Sequence, residues 1–480
     1  MKISSIYKIV WEIDNEDKVL DYKLHNGLSF WLLIRYDIFK MLLNKPAEPY
    51  LRSKNIFVDL AKKVNNRILH LKYLQKNKRH HPLNFKDQFD CINICSSLGT
   101  ISSANGHISR ISGFLSHFSE IKTLNVIAPY NKFYHNNYAG DYCFFDGLLL
   151  KNDIVNKRMR LSPHEESNSN YVSCFIDLLK KHLKEYFNDK NWQDIKERII
   201  YFETASKHLE VSVKIFLQQT KPKLVVIEDG NYGSLENCTF IKVANEMKIP
   251  TVEIQHGVFD IAFQYTKKLI SNPAFASQKT NYVLTFGEYF SQFVQSSSQN
   301  ISIGNYYMEN KKNLLLNEAK TTTPIILFIT QKKHTDEIIG ILNITLKKIG
   351  KPFKLIIRLH PVDADNRDKY KLLQQFEGTE FSINEDVHSQ LIKADYIIGS
   401  YSTLLFESLY FGKIPLIHKN DLSDHFVPNS LGLVFANPQE LQNLLERQVA
   451  VTDIPKRADY FWALDCVNNF KKFYIQKILK

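Results

Sequence analysis

The 480-residue sequence lacks the short motifs that identify several large enzyme classes. No GxGxxG follows an apolar run, and no GxxxxGK[ST], HExxH or GxSxG motif occurs in the chain. These absences remove the main support for a dehydrogenase, a P-loop NTPase, a zinc hydrolase and a serine hydrolase. Any catalytic site must be built from other residues.

Cysteine is scarce, and its six copies are scattered, with no CxxC pair and no histidine at zinc-finger spacing. Such cysteines fit a reducing compartment, where they behave as small buried hydrophobic residues. A signal peptide is not apparent either, because charged residues interrupt the start of the chain. The most apolar stretch, residues 27–43, contains three charged residues and is predicted to be an amphipathic helix. We therefore expect a cytoplasmic protein.

What the sequence does contain is a globular composition with a basic excess. Hydrophobic residues make up 44% and charged residues 23%, which suits the two or three domains that this length predicts. The 62 Lys and Arg against 50 Asp and Glu give a net charge of +12. The densest basic cluster, residues 72–81, is predicted to be a solvated face, with an anionic inner-membrane surface or an acidic glycan as the alternative. It matches no nucleic-acid-binding motif, so no nucleic acid is expected as a partner.

The order of the apolar runs predicts an α/β protein with parallel sheets covered on both faces by helices. Residues 20–74 and 170–217 show helical spacing. The β-rich runs are residues 89–94, 122–128, 224–227, 251–254, 282–286, 325–329, 355–359, 396–398 and 415–417. A polar seam within residues 307–323 predicts two lobes. The predicted boundaries are residues 1–310, residues 320–455 and a C-terminal helix within 456–480 that packs back on the first lobe.

In open α/β sheets, ligands bind beyond the carboxyl ends of the strands, and here an acidic pair stands at such an end. Glu228-Asp229-Gly230 follows the run 224–227, and the glycine frees the backbone to turn. Neighbouring side chains at a strand end point in opposite directions, so one carboxylate is expected to enter the cleft. There it can act as a general base toward a sugar hydroxyl, whereas the alternative is a plain turn.

Gln255-His256-Gly257 follows the run 251–254 in the same way. His256 is a candidate base, a hydrogen-bond donor to the substrate, or a residue that fixes its own loop. Gln255 and Gly257, like Gly230, are predicted to shape the loops that hold these side chains.

The second predicted lobe offers groups that bind a phosphate at the same edge. Arg358 and His360 alternate along one strand before Pro361, so both side chains lie on one side of it and can donate hydrogen bonds to an anion. Gln331, after the run 325–329, is a further candidate. The nearby Asp363 offers too few oxygens for a cation, even together with a second aspartate at position 365, and no metal is expected.

The segment from Gly399 to Thr403 precedes a helical stretch, which places hydroxyls and free N–H groups at a positive helix end. Ser400, Ser402 and Thr403 are therefore candidate phosphate ligands, although a plain N-cap by Ser402 or Thr403 would use the same residues. Glu407, one turn into the helix, is a candidate for the ribose hydroxyls.

Taken in order, these motifs resemble the signature of bacterial sialyltransferases and polysialyltransferases. That signature is an acidic pair with glycine, then His-Pro, then Ser-Ser/Thr, and its counterparts here are Glu228-Asp229-Gly230, His360-Pro361 and Ser402-Thr403. Gln255-His256-Gly257 and the segment 399–415 also resemble capsule polysaccharide synthesis proteins, including the Kdo transferases. The resemblance covers residues 224–417.

The resemblance implies a GT-B fold, with two Rossmann-like lobes, the acceptor mainly on the first and the nucleotide donor mainly on the second. It implies that Glu228, or else Asp229, is the base and that His360, Ser402 and Thr403 bind the donor phosphate. Preorganised donors around the departing CMP phosphate would stabilise its charge without a metal or cofactor. We expect a glycosyltransferase that moves a sialic-acid-like sugar or Kdo from a CMP donor to a glycan or glycolipid acceptor of the cell surface.

The chain also resembles the teichoic-acid polyol-phosphate transferases in His256-Gly257 and in the segment from Arg358 to Pro361. Those proteins have Trp where this chain has Gln255, and typically Asp where it has Ser400. A CDP-polyol phosphotransferase and a GT-B enzyme using a UDP- or GDP-sugar therefore remain alternatives. A scaffold protein of capsule export is the non-enzymatic one.

Overall fold

A computed structural model describes residues 2–43, 80–97, 99–128, 135, 137–148, 166–315, 323–331, 333–360, 367–383, 385–446 and 458–480. The predicted basic cluster up to residue 79, Pro361 and Asp363 lie outside these residues. Within them the chain forms two parallel sheets, each covered on both faces.

The first lobe is built on a 7-stranded sheet. The strands of this half are β1 (Cys91–Ser96), β2 (Thr100–Ser103), β3 (Gly106–Ser109), β4 (Thr123–Ala128), β5 (Asp141–Phe144), β6 (Leu224–Ile227), β7 (Thr251–Ile254), β8 (Tyr282–Thr285) and β9 (Gln299–Ser302). The sheet has the order β5-β4-β1-β6-β7-β8-β9, with every neighbouring pair parallel. The other two strands, β2 and β3, form a separate antiparallel hairpin.

The second lobe is built on a 6-stranded sheet. Its strands are β10 (Ile325–Ile329), β11 (Lys354–Arg358), β12 (Thr379–Ser382), β13 (Tyr396–Gly399), β14 (Pro415–His418) and β15 (Leu433–Phe435). They are ordered β12-β11-β10-β13-β14-β15, again with all pairs parallel. The chain passes from the first sheet to the second between Ser302 and Ile325, within which the helix Tyr306–Leu315 lies.

The helices cover the two sheets. They are α1 (Ile3–Asp14), α2 (Phe30–Leu43), α3 (Glu166–Leu183), α4 (Asp189–Thr220), α5 (Leu235–Glu246), α6 (Lys267–Ile270), α7 (Pro273–Ala276), α8 (Glu288–Ser291), α9 (Tyr306–Leu315), α10 (Thr335–Lys348), α11 (Lys371–Gln374), α12 (Val387–Lys393), α13 (Thr403–Tyr410), α14 (Asp421–Phe426), α15 (Pro438–Glu446), α16 (Ala458–Phe461) and α17 (Cys466–Phe473). Short 3₁₀ turns at Pro82–Asn84, Gly113–His117, Gly230–Tyr232, Ile261–Phe263 and Arg367–Tyr370, and a π-turn at Tyr474–Ile478, complete the described elements.

In the first lobe, the central strands are buried on both faces, which explains why their sequences are unbroken apolar runs. Alternate side chains of β6 enter opposite layers, so that Val225 and Ile227 pack with α1 to α5, whereas Leu224 and Val226 pack with the C-terminal helix α17. Phe470 is among the α17 residues buried there. The end of the chain therefore closes the second face of the first sheet.

The predicted amphipathic helix at residues 27–43 is instead buried on most of its faces. Helix α2 buries Arg35 because Asp14 pairs with it, with distances of 2.7 and 2.8 Å from Nη2 and Nε to the carboxylate oxygens. Trp31 donates to the same carboxylate at 2.8 Å. The charge that suggested an exposed face is neutralised inside the lobe, as a buried charge must be.

The predicted α/β fold with two Rossmann-like, parallel-sheet lobes is confirmed by these strand orders, and it is the GT-B arrangement. A third apolar cluster joins the lobes, since Phe286 and Phe290 of the first pack with Phe406 of the second and with Trp462. The Trp462 ring stacks on Phe286 at 5.1 Å between centroids, and its Nε1 donates to the Phe406 carbonyl at 2.9 Å. The lobes thus share part of their core beside the cleft.

Three further findings concern the described residues as a whole. No helix among them is long and apolar enough to cross a membrane. No group of three or more His, Cys, Asp and Glu side chains in the described ranges is placed to hold a metal ion. All six cysteines are free, and five of them are buried.

Candidate active site

A cleft lies between the lobes, beyond the carboxyl ends of several strands of both sheets. The first lobe contributes residues that follow β3, β7 and β9, and the second contributes residues of α12 and α13. The polar lining residues are Arg110, His256, Asn305, Tyr307, His388, Thr403 and Glu407. This is the edge at which ligands bind in open α/β sheets.

Glu228 is the first residue after β6, and its side chain turns away from the cleft into the lobe. It is only 6% exposed. Its carboxylate accepts hydrogen bonds from the backbone N of Ser96 at 3.0 Å, from the Ser112 hydroxyl at 2.8 Å and from the Ser109 hydroxyl. Burial raises the pKa of Glu228, and the hydrogen bonds from Ser109, Ser96 and Ser112 oppose that rise. Glu228 therefore ties the hairpin end to the strand ends β1 and β6.

Asp229 has a half-exposed side chain and pairs with His256, which lines the cleft. Nδ1 of His256 lies 3.1 Å from the carbonyl oxygen of Glu228 and 3.3 Å from Oδ1 of Asp229. Because a carbonyl oxygen can only accept, Nδ1 carries a hydrogen, and the other ring nitrogen, Nε2, is the one that could contact a substrate. Nε2 makes no hydrogen bond to any residue in the described ranges. The two contacts of Nδ1 therefore orient the imidazole of His256 at the cleft.

Glu253, a wholly buried residue of β7, supports the loop that carries Asp229. Asn231 Nδ2 donates to Glu253 Oε2 at 2.5 Å. A Cβ at Gly230 would lie 2.9 Å from the same oxygen, so a larger residue there would force the Glu253 carboxyl group to move. Burial, and then the charge of Asp229, raise the pKa of Glu253 well above its usual value.

Gln255 fixes the second loop in a similar way. Its buried Oε1 accepts from the backbone N of Phe286 at 2.7 Å, and its Nε2 donates to the carbonyl of Gly257 at 2.8 Å. The amide thus bridges the loops after β7 and β8 and sets the backbone around His256. Gly257 itself faces the second lobe, since a Cβ there would lie 3.8 Å from Cγ2 of Thr403.

The segment after β13 places its hydroxyls in three different environments. Ser400 is fully buried, and its Oγ accepts from Asn420 Nδ2 at 2.6 Å. Ser402 is the N-cap of α13, and its Oγ accepts from the backbone N of Leu404 at 3.2 Å. Thr403 lines the cleft opposite His256. The positive end of α13 therefore faces the first lobe with Thr403 as its foremost side chain.

Glu407 lines the cleft one turn further along α13, where His388 of α12 binds it. The distance from His388 Nε2 to Glu407 Oε2 is 2.7 Å, and Nδ1 lies 3.7 Å from Asp386. Burial lowers the pKa of His388, but hydrogen bonds and charge from Asp386 and Glu407 outweigh it and raise the pKa above its usual value. Lys311 of α9 pairs in turn with Asp386 at 2.7 Å.

The remaining predicted donor residues lie outside this cleft. Nη1 of Arg358 donates to the Ser382 hydroxyl and to the carbonyl of Glu385, both at 2.8 Å, at the end of the neighbouring strand β12. The backbone N of His360 donates to Thr330 Oγ1 at 2.8 Å. Gln331 is nearly buried, and its backbone N donates to Thr335 Oγ1 at 2.9 Å. The structure thus brings Asp229, His256, Thr403 and Glu407 together but not these three.

Sequence reasoning missed several cleft residues because no motif marks them. Arg110 and Asn305 follow the short polar strands β3 and β9, and His388 lies in a helix that carries no recognisable signature. One signal was available for the loop that carries Asp229, namely a glutamate at position 253 within an otherwise apolar strand. A buried carboxyl group needs a hydrogen-bond partner, which for Oε2 is Asn231.

No family model and no curated protein matches the chain. Similar solved structures include the UDP-GlcNAc 2-epimerase from Neisseria meningitidis bound to UDP-GlcNAc, at 12% identity and a TM-score of 0.46, covering 80% of this chain and 99% of that chain. The UDP-GlcNAc 2-epimerase from Methanocaldococcus jannaschii has 9% identity and a TM-score of 0.48, covering 80% and 98%. The lipopolysaccharide outer core galactosyltransferase WaaB has 11% identity and a TM-score of 0.41, covering 81% and 99%. Because these TM-scores are below 0.5, the fold assignment rests on the strand orders described above.

Proposed function

We propose that the protein is a glycosyltransferase that moves a sugar from a nucleotide donor to a glycan hydroxyl. One observation carries the proposal. The oriented imidazole of His256 on the first lobe faces Thr403 and the positive end of α13 on the second lobe across a single cleft. A base and an anion-stabilising helix end, held on separate lobes, are what transfer between two substrates requires.

In the proposed reaction, Nε2 of His256 takes the proton of the acceptor hydroxyl. The acceptor oxygen forms a bond to the anomeric carbon as the bond from that carbon to the phosphate oxygen breaks. The leaving nucleotide keeps the electron pair, and its added charge lies near the N–H groups at the start of α13. Asp229 stabilises the imidazolium that forms, because its carboxylate is already 3.3 Å from Nδ1.

We assign the base to His256 with Asp229 rather than to Glu228, the first choice from the sequence. The Glu228 carboxylate already accepts three hydrogen bonds and is buried behind the loop that it anchors. A general base must reach the proton that it removes, and Glu228 is placed to hold the loop instead.

The donor that we propose is a CMP-activated acidic sugar, either a sialic-acid-like nonulosonate or Kdo. The support for this choice is the order of the three sequence motifs. The proposed acceptor is a growing capsule, O-antigen or lipooligosaccharide glycan, and the proposed reaction needs no metal. Ser402, at the start of α13, remains a proposed phosphate ligand, whereas His360, the other choice from the sequence, lies outside the cleft.

A direct test incubates the protein with CMP-sialic acid, CMP-Kdo, UDP-GlcNAc, a GDP-sugar and CDP-glycerol, each with a set of glycan acceptors. The proposal predicts release of CMP from a CMP-sugar and loss of that activity in Asp229→Asn. Turnover of only a UDP- or GDP-sugar would overturn the donor assignment. Phosphorus retained in the product would instead indicate a CDP-polyol phosphotransferase.

Thermal unfolding with nucleotides separates these enzymes from a scaffold protein. A ligand present at about a hundred times its Kd stabilises the folded state by roughly 2.7 kcal/mol. We expect CMP to raise the unfolding temperature, whereas a scaffold without a nucleotide site would respond to no nucleotide.

We also propose that the enzyme works at an anionic membrane surface where a lipid-linked acceptor lies. The outer side of α4 supports this, because Ile200, Lys207, Val211 and Lys214 are exposed at helical spacing on one face. Sedimentation with vesicles containing phosphatidylglycerol should carry the protein down, and Val211→Glu should reduce that binding. Equal binding to neutral vesicles would contradict the anionic surface.

A further inference from the structure

Arg110 lines the cleft but has no role in the proposed reaction. It follows β3 directly, and its backbone N donates to the carbonyl of Gly99 at 2.9 Å. The next two residues are held as well, since the backbone N–H groups of Ile111 and Ser112 donate to Ser109 Oγ at 3.0 and 3.1 Å. The Ser109 hydroxyl in turn binds the anchor Glu228. The backbone that carries the Arg110 guanidinium is therefore fixed.

The guanidinium itself makes no hydrogen bond and no close ion pair with any residue in the described part of the chain. Its Cζ lies 5.9 Å from the centroid of the Tyr307 ring, and, against the effect of burial, its charge adds to the larger effect of His388 in lowering the pKa of Glu407. The carboxylate that shares the cleft, Glu407, is already bound by His388 at 2.7 Å. Lys311 and Asp386 neutralise each other at 2.7 Å. One positive charge in the cleft is thus left without a matched negative one.

We infer that Arg110 binds an anionic group of the donor next to its reacting carbon, and that it selects donors that carry such a group. The inference rests on the proposed function, which places the nucleotide phosphate at α13 on the second lobe. Arg110 enters the same cleft from the first lobe, beside His256, so it meets the donor from the sugar side. A planar fork of N–H donors on a fixed backbone suits a carboxylate or a phosphate oxygen pair.

Two donor chemistries present an anion at that position. One is a carboxylate on the anomeric carbon, as in CMP-linked sugar acids, and the other is the sugar-side phosphate of a nucleoside diphosphate sugar. Both would be bound through the same charge-assisted hydrogen bonds. They differ in which donor loses affinity when the guanidinium is removed.

The test measures Kd by calorimetry for CMP-sialic acid, UDP-GlcNAc, CMP and UMP with the wild type, Arg110→Gln and Arg110→Lys. We expect Arg110→Gln to weaken one sugar nucleotide by about ten- to a hundredfold and to leave its nucleoside monophosphate within about twofold. Arg110→Lys should recover part of the loss, because it restores the charge but not the fork. A loss confined to CMP-sialic acid identifies the carboxylate, and one confined to UDP-GlcNAc identifies the phosphate.

Arg198→Gln is the matched control, because it removes the same charge from the surface of α4, where Arg198 pairs with Asp37 at 2.9 Å. It should leave all four affinities unchanged. Unchanged sugar-nucleotide affinity in Arg110→Gln would overturn the inference and leave the proposed function standing. A parallel loss for CMP would overturn it too, since Arg110 would then bind the nucleotide phosphate. If the wild type binds none of the four probes, the proposed function fails and the inference fails with it. Arg110→Lys carries the comparison if Arg110→Gln does not fold.

Discussion

The loops after β6 and β13 occupy matching positions on the two lobes and use their polar residues in the same way. In the first lobe, Glu228 follows the strand directly and is buried in a hydrogen-bond network, whereas Asp229 reaches His256 at the cleft. In the second lobe, Ser400 follows the strand and is fully buried against Asn420, whereas Thr403 lines the cleft. In each loop the first polar residue fixes the backbone and a later one lies at the cleft or beside a residue that lines it.

The two loops differ in what they present to the cleft. The first lobe offers a carboxylate and an imidazole, which can accept and hold a proton. The second offers a helix end with a hydroxyl, which can stabilise a negative charge but cannot remove a proton at neutral pH. The cleft thus brings together the two unlike groups that the proposed reaction needs. In both loops the polar residue next to the strand end holds the backbone in place. The residue with a proposed role in the reaction lies one to three positions further along the chain.

The largest effect is expected from His256→Ala, which removes the proposed base from the first-lobe half. We expect kcat to fall by about 10²–10⁴-fold, because the acceptor hydroxyl loses its proton acceptor. Steady-state kinetics with the best donor measures this. The control is His182→Ala, which removes a histidine bonded to Glu16 at 2.7 Å, far from the cleft, and should leave kcat within about twofold. Similar losses of kcat in both variants would contradict the assignment of the base to His256 in the first lobe.

The second prediction concerns the positive charge of His388 in the second lobe. Asp386 and Glu407 raise the pKa of His388 above 6.5 despite its burial. The folded state therefore binds this proton more tightly than the unfolded chain does. The stability from His388 is complete below about pH 6.5 and is lost as the pH rises through the folded-state pKa.

His388→Gln should remove that loss, flattening the fall in unfolding free energy by up to about 1.4 kcal/mol per pH unit just above pH 6.5. Urea unfolding at pH 6, 7 and 8 measures it in both proteins. Parallel pH profiles would show that His388 is not charged in the folded state.

The third pair of variants tests the division of labour within the second-lobe loop. Ser400→Ala should lower the unfolding free energy by about 0.5–1.5 kcal/mol, because it removes the acceptor for Asn420, and should leave CMP affinity unchanged. Thr403→Val should do the reverse, weakening CMP by roughly three- to tenfold at nearly constant stability. Calorimetry and urea unfolding together measure both. A loss of CMP affinity in Ser400→Ala together with a loss of stability in Thr403→Val would contradict the roles assigned to the two residues.

The smallest effect separates capping from ligand binding at Ser402. Replacing an N-cap serine by alanine costs about 1 kcal/mol, whereas glycine costs only a few tenths. We expect Ser402→Ala and Ser402→Gly to lose CMP affinity equally, since both lack the hydroxyl, while Ser402→Ala loses clearly more stability than Ser402→Gly. Full CMP affinity in Ser402→Gly would make Ser402 a cap alone.

The sequence was sufficient for the central strands but not for the edges of the sheets. β6, β7, β10 and β13 are predicted because strands buried on both faces are continuous apolar runs. β9 and β12, with the sequences QNIS and TEFS, escape detection because edge strands are partly exposed and tolerate polar residues. The two lobes could therefore be predicted from their central strands alone, without the edge strands.

For the site, the sequence could place a polar residue at a strand end but could not name its partner. Ser109 and Ser112 lie 119 and 116 residues from Glu228, and nothing local links them. Arg358 was expected to share a site with His360, but Ser382 and Glu385 of the neighbouring strand end bind its guanidinium. Which of two adjacent side chains faces the cleft is decided by such distant contacts.

The most direct test of the account compares two isosteric variants of adjacent residues, Glu228→Gln and Asp229→Asn, in kcat and in unfolding free energy. The account predicts that Asp229→Asn lowers kcat by roughly 10²-fold at nearly unchanged stability, because the His256 imidazolium loses its counter-charge. It predicts that Glu228→Gln lowers the unfolding free energy by roughly 1–3 kcal/mol and leaves kcat within about threefold. An inactive Glu228→Gln with full stability, beside an active Asp229→Asn, would contradict it.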